Sequence, residues 1–332
     1  MKNKLLFAFS ACLFAFTGSF AQDMKVIKTF PVGGDAGWDY IAVHNHKIYV
    51  THGSQVNVLN ENSGDSIGVI PGTIGVHGVA FCDALNRGYT SNGRANNVYV
   101  FDLGTNKILD SIATGENPDA ITYEPFSKKI ITCNGRGKSL SIIDPVKNEV
   151  IATIELQGKP EEAMGDGKGK LFVNLEDENE IAVVDLKTYK LITKWPLSPG
   201  ESPTGLAYDK VNNRLFAGCD VKMIVMNALN GNVVADLPIG EGCDGLVFDK
   251  KLNMIFTSNG EGNVTAIKQI DADHYKVART IQTQRSARTI TLNEDTHTLY
   301  LPACDLEPKK PGDSDETRPQ RVPGSFKVLV IR

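Results

Sequence analysis

Cysteine is scarce and scattered in this chain of 332 residues, which carries six, no two of them in a CxxC pair. That pattern encodes neither a disulfide framework nor a thiolate zinc site. Beyond residue 21 no uninterrupted apolar run approaches the roughly 18 residues that span a bilayer. Basic charge is not in surplus either: 35 Lys and Arg stand against 39 Asp and Glu, a formal charge of -4. Such a chain offers little general attraction to nucleic acid. GxSxG, Walker, dinucleotide-binding, haem-attachment CxxCH, HExxH and EF-hand sequences are all missing, which removes the best-marked nucleophilic, nucleotide, cytochrome and metal classes.

What is present begins with a leader. Lys2 and Lys4 precede the apolar run from Leu5 to Phe16, and Ser19-Phe20-Ala21 precedes Gln22. This reads as a secretory signal over residues 1–21, with a mature chain from residue 22 that is periplasmic or secreted. Cys12 lies too early in the apolar run for lipoprotein processing. Loss of the two lysines takes the formal charge from -4 to -6. Five cysteines remain: Cys82, Cys133, Cys219, Cys243 and Cys304.

The mature sequence repeats itself. Apolar strands close at Asn60, Asp102, Asp144, Asp185 and Asn227, which fall 42, 42, 41 and 42 residues apart. A period near forty marks a solenoid or propeller. Each copy divides into four short strands separated by Asn, Asp and Gly turns, which suits a propeller blade. First strands begin near Asp39, His77, Asp119, Glu161, Thr204, Asp244 and Arg288, giving seven blades. The last copy stops one strand short, and residues 25–32 supply an orphan strand whose Phe30-Pro31-Val32-Gly33 matches the fourth-strand ending Leu237-Pro238-Ile239-Gly240. The expected fold is therefore an all-β, seven-bladed β-propeller over residues 22–332, one domain, closed by the N-terminal strand completing the C-terminal blade.

Ile48-Tyr49-Val50-Thr51-His52, Gly88-Tyr89-Thr90-Ser91-Asn92 and Ile255-Phe256-Thr257-Ser258-Asn259, with the recurring Val-x-Val-x-Asp and x-Pro-x-Gly, resemble the YVTN-repeat, YncE-like β-propeller family over nearly all of the mature chain. The resemblance implies the fold strongly and function weakly, since the repeated residues build strands and turns. It also implies single-stranded DNA as a partner, against which the acidic charge argues. Glu176-Asp177-Glu178 departs from the Asn-Gly turn, and the seventh copy carries an insertion.

Because first and second strands are antiparallel, the start of one and the end of the other share a face. Asp39, His77, Asp119, Glu161, Thr204, Asp244 and Arg288 are thus expected to ring one mouth of the central channel as a ligand site. Trp38, His52, Arg94 and Arg136 fall on the same face. Trp38 reads either as a stacking surface or as core, and the Arg94/Arg136 pair as a clamp for an anion or as solvated charge. Asn-Gly pairs there read as turn formers that tolerate positive φ. The acidic donors suit calcium or magnesium, and His77 widens the choice toward zinc or manganese, so a divalent cation fits the residue types. Cys219 and Cys243 come from adjacent blades, but no spacing rule supports a bridge and free thiols are expected. The insertion from Asp305 to Arg321 reads as a mobile loop or a lid.

Two functions follow. One is a monomeric exported binding or scaffold propeller for a small molecule or envelope protein, with no enzymatic role. The other is a metal-assisted hydrolase or lyase acting on a lactone or sugar acid, with His77 or a carboxylate as acid or base.

Overall fold

The computed structural model describes residues 24–35, 37–308 and 319–332. The leader and residues 309–318 of the insertion lie outside them. Seven four-stranded antiparallel sheets form the blades, and six pair only strands that are neighbours in sequence. The seventh is composite: Val26–Pro31 pairs with Lys327–Ile331, which pairs in turn with Thr298–Ala303 and then Thr291–Asn293. The closure read from the sequence is thus observed. Lys25 and Arg332 exchange backbone hydrogen bonds at 3.0 and 3.1 Å, extending the seam by one pair.

Alternation explains the packing. Middle strands such as Lys129–Asn134 and Glu180–Asp185 are apolar on both faces, because each sheet is sandwiched between neighbours. Outer strands such as Ile108–Ala113 keep one buried residue, Ile112, and present the rest to solvent. Apolar clusters accordingly lie between successive blades, for example Ile131, Leu140 and Ile142 against Leu171, Val173 and Val184. Among the described residues no helix is long and apolar enough to cross a membrane.

The first strands carry an unforeseen irregularity. In blade 1, Trp38 faces His52 but Ile41 faces Val50, so one extra residue is accommodated at the opening of the strand. The same slip occurs at Val76, Pro118, Pro160 and Cys243. A bulge re-aims side chains that strict alternation would send to opposite faces. Hydroxyls on the second strands satisfy the displaced backbone: Thr51 Oγ1 accepts from Asp39 N and donates to Tyr40 O, and Ser91 Oγ accepts from Gly78 N and donates to Asp119 O. Blades 5 and 7 differ, since their ladders begin only at Leu206 and Thr291. Thr204 and Arg288 therefore precede the strands they were expected to open. At Gly205 a Cβ would lie 2.5 Å from Leu246 N, so the next inner strand passes close by, and Thr204 N still donates to Gly218 O at 2.9 Å.

The Asn-Gly pairs are also corrected. Asn92, Asn134 and Asn259 are fully buried strand residues, and neither they nor the following glycines have positive φ. Their side-chain amides latch the adjoining hairpin: Asn134 Nδ2 donates to Ser139 and Ser141 at 3.1 and 3.0 Å, and Asn259 Nδ2 to Asn263 and Thr265. A buried amide must find such partners, so these residues serve the fold.

Candidate functional site

The bulges bring five of the seven ring residues into one connected cluster. His77 Nδ1 lies 2.6 Å from Asp39 Oδ2 and 3.5 Å from Asp119 Oδ1. Arg288 pairs with Asp244 and reaches Asp39 at 3.8 Å, so blades 1, 2, 3, 6 and 7 are bridged across the mouth. Glu161 faces the same centre but is held by Lys159 at 2.8 Å, which also pairs with Glu176. Thr204 does not join: its hydroxyl donates to Cys243 O at 2.8 Å and ties blade 5 to blade 6.

Negative charge exceeds positive here. Asp39, Asp119, Glu161, Asp244 and Glu176 face Lys159, Arg288 and the ionisable His77. Burial, reinforced by Asp39, pushes the Asp119 carboxyl up to about 6. Burial and the Asp119 charge push Glu161 up to about 8, against the pull of Lys159. For His77 burial opposes the imidazolium, but the Asp39 hydrogen bond and the charge of Asp119 outweigh it, and its pKa rises. The carboxyl shifts come first from burial and then from neighbouring negative charge, and the imidazole shift comes from its carboxylate neighbours.

Asp39, His77 and Asp119 each offer a ligand atom, and the three atoms lie within 4.8 Å of one another. One imidazole nitrogen and two carboxylates suit zinc or manganese better than calcium.

The residues of the same face fare differently. His52 is buried and packs at a tilt against Phe326 with centroids 4.5 Å apart, which places it in the wall rather than at the mouth. Trp38 stacks on Phe326 at 5.1 Å and lies beneath the guanidinium of Arg321, 5.6 Å from the ring centre. Arg94 and Arg136 are exposed and have no ion-pair partner among the described residues. Cys219 and Cys243 are buried free thiols, as are the other described cysteines. The insertion roots beside the mouth: Leu306 pairs with Arg321, Glu307 N donates to Gln320 O at 2.8 Å, and a pocket lined by Trp38, Arg288, Leu306 and Arg321 lies against the ring.

Beneath the ring lies a cavity of about 210 Å³, lined among others by Tyr40, Ile41, Ile121, Glu162, Leu246 and Ile290. Lys159, Glu162 and Tyr40 were missed in the sequence. Tyr40 follows Asp39 and Glu162 follows Glu161, and strict strand alternation would turn each away from its neighbour. The bulge lets both members of each pair face the channel. A polar doublet at the strand opening, such as Asp39-Tyr40 or Glu161-Glu162, is the signal that could have revealed them.

The fold and site define a closed seven-bladed propeller with a charged channel mouth, and the comparisons agree with that class. No family model matches the chain. YncE of Salmonella typhimurium (strain LT2) is 22% identical over 243 residues, 72% of this chain and 56% of that protein, and YncE of Salmonella typhi is 23% identical over the same shares. The chain thus spans about half the length of the curated relatives it matches. Among solved structures, a chain of Kuenenia stuttgartiensis hydrazine synthase superposes with a TM-score of 0.71 at 14% identity, covering 81% of this chain and 94% of that one. A chain of the mitotic checkpoint complex gives 0.76 at 13% identity, covering 100% and 98%. Likeness at that level of identity concerns the fold alone. The chain is thus a seven-bladed β-propeller that is similar to YncE over most of its length.

Proposed function

We propose that this is an exported, monomeric binding propeller that takes a positively charged small molecule, or the cationic part of an envelope partner, at the channel mouth. The observation that carries the reading is the convergence of Asp39, Asp119, Glu161 and Asp244 from four blades on a centre with too few cations. Rigid strands hold these groups, so little ordering cost accompanies binding. Export rests on the leader sequence. A thermal-shift screen of divalent ions, organic cations, sugar acids and lactones tests the reading. A cation at a hundred times its Kd should stabilise the fold by about 2.7 kcal/mol. The response should vanish in an Asp39→Asn/Asp119→Asn variant; shifts from anions alone, or from nothing in the panel, defeat the reading.

A second reading is favoured by the Asp39, His77 and Asp119 donors within 4.8 Å of one another. A divalent metal held there would polarise a lactone or sugar-acid oxygen. Elemental analysis should then find about one zinc or manganese per chain, lost in His77→Ala, together with turnover of lactone substrates. Protein that takes up no metal after incubation with either ion and shows no turnover removes this alternative.

A further inference from the structure

The cavity beneath the ring has an unusual wall. Most of it is apolar, including Ile41, Ile121, Leu246 and Ile290, yet it contains the carboxylates of Glu162 and Asp244 and no Lys, Arg or His. Asp244 is engaged by Arg288 at the mouth above. Glu162 is different: one carboxylate oxygen accepts from Leu206 N at 2.7 Å, and the other has no partner among the described residues. Burial pushes its pKa up to about 7, as expected of a carboxylate lacking a countercharge. The phenol ring of Tyr40 completes the upper wall.

We propose that this cavity is a binding site for a small organic ammonium ion, whose alkyl part fills the apolar wall and whose nitrogen pairs with Glu162. This rests on the reading that the mouth attracts cations, and it names a second site and the chemistry of its ligand. An apolar wall excludes a hydrated metal ion, which keeps its waters and wants several oxygen ligands. A carboxylate in the absence of any cation excludes an anionic ligand. A neutral alkane leaves the free Glu162 oxygen without a partner. An amphiphilic cation answers both features of the wall, and its charge distinguishes it from a neutral alcohol. Size sets the limit: an engineered cavity of about 150 Å³ holds benzene, so this one takes roughly eight non-hydrogen atoms. Entry lies past the ring, because Gly78 and Ala120 in the cavity wall directly follow His77 and Asp119. The ring carboxylates would then concentrate cations at the entrance.

Calorimetric titration of the full mature chain at pH 8 provides the test, with n-butylammonium as probe and 1-butanol and butyrate as its neutral and anionic counterparts. The expected result is saturable binding of n-butylammonium only. Glu162→Gln should weaken it tenfold or more, and Ala42→Leu, which fills the cavity from a second strand, should do the same. Glutamine still accepts from Leu206 N, so the first variant keeps the local fold. Binding unchanged in both variants, binding of butanol equal to that of butylammonium, or no binding at all overturns the inference. Divalent-ion stabilisation that survives Glu162→Gln and is lost in Asp39→Asn/Asp119→Asn, without butylammonium binding, would leave the mouth reading standing and sink this one alone.

Discussion

Acidification from pH 8 to pH 5 is expected to stabilise the ligand-free protein, the reverse of the trend for a protein held together by surface ion pairs. Glu162 is the clearest contributor. Its pKa is about 7 in the folded state against 4.5 for the unreacted carboxyl, so the folded chain binds more protons between those values. Stability must fall as pH rises through that window. A shift of this size corresponds to about 3 kcal/mol lost by pH 8. Asp119 and Glu161 are raised for related reasons and act in the same direction. His77 does as well, because a raised imidazole pKa confers stability at low pH that is lost as pH climbs through the folded value. Carboxylates with lowered pKa, such as Asp102 and Asp144, work the other way only below about pH 4. Thermal unfolding at several pH values checks this. Glu162→Gln should be more stable than the parent at pH 8 by up to about 3 kcal/mol and equal to it at pH 4. A parent that loses stability between pH 8 and 5, or a variant with the parent's slope, contradicts the account.

The second large effect should come from Phe30, at the ring closure. This side chain is 5% exposed and shares an apolar cluster with Val328 of its own blade and Ile48 and Leu59 of blade 1. Gly64, at φ +78°, passes so near that a Cβ there would lie 2.2 Å from the phenyl ring. Truncation to alanine removes a well-packed aromatic and should cost about 3–5 kcal/mol. The loss falls on a strand, Val26–Pro31, that is tied to the ring largely by its pairing with Lys327–Ile331. Once it detaches, Lys327–Ile331 becomes a free edge open to other chains. Urea unfolding should show the loss, and amide hydrogen exchange should rise first in Lys327–Ile331. A cost below about 1 kcal/mol, or exchange accelerated evenly around the ring, would show that the seam is not the weak point.

Much of this architecture was legible because strands buried on both faces write themselves as apolar runs, and the turns between them as Asn, Asp and Gly. The ring was legible for a related reason: one polar residue opens each inner strand where apolar ones follow. What escaped was local. The bulges at Asp39, His77, Asp119, Glu161 and Asp244 leave no mark in a pattern of types, yet they decide that Tyr40 and Glu162 also face the channel. His52 shows the opposite error, since a residue at the right end of a strand still points into the sheet stack when alternation holds. Lys159 lies just before the strand start and pairs with Glu161, a countercharge that aligning the strand openings does not reveal.

The composite blade also orders events in time. Six sheets join only sequence neighbours and can form as the ribosome delivers them, whereas Val26–Pro31 emerges near the beginning and must wait for Lys327–Ile331. While the seven blades are being made the nascent arc has two unsealed ends, and Lys327–Ile331 is the clasp. Until the seventh blade is delivered, Asp39 and Asp244 lack Arg288, the cation that reaches both. One of the few cations of the mouth is thus delivered with the blade that completes the circle.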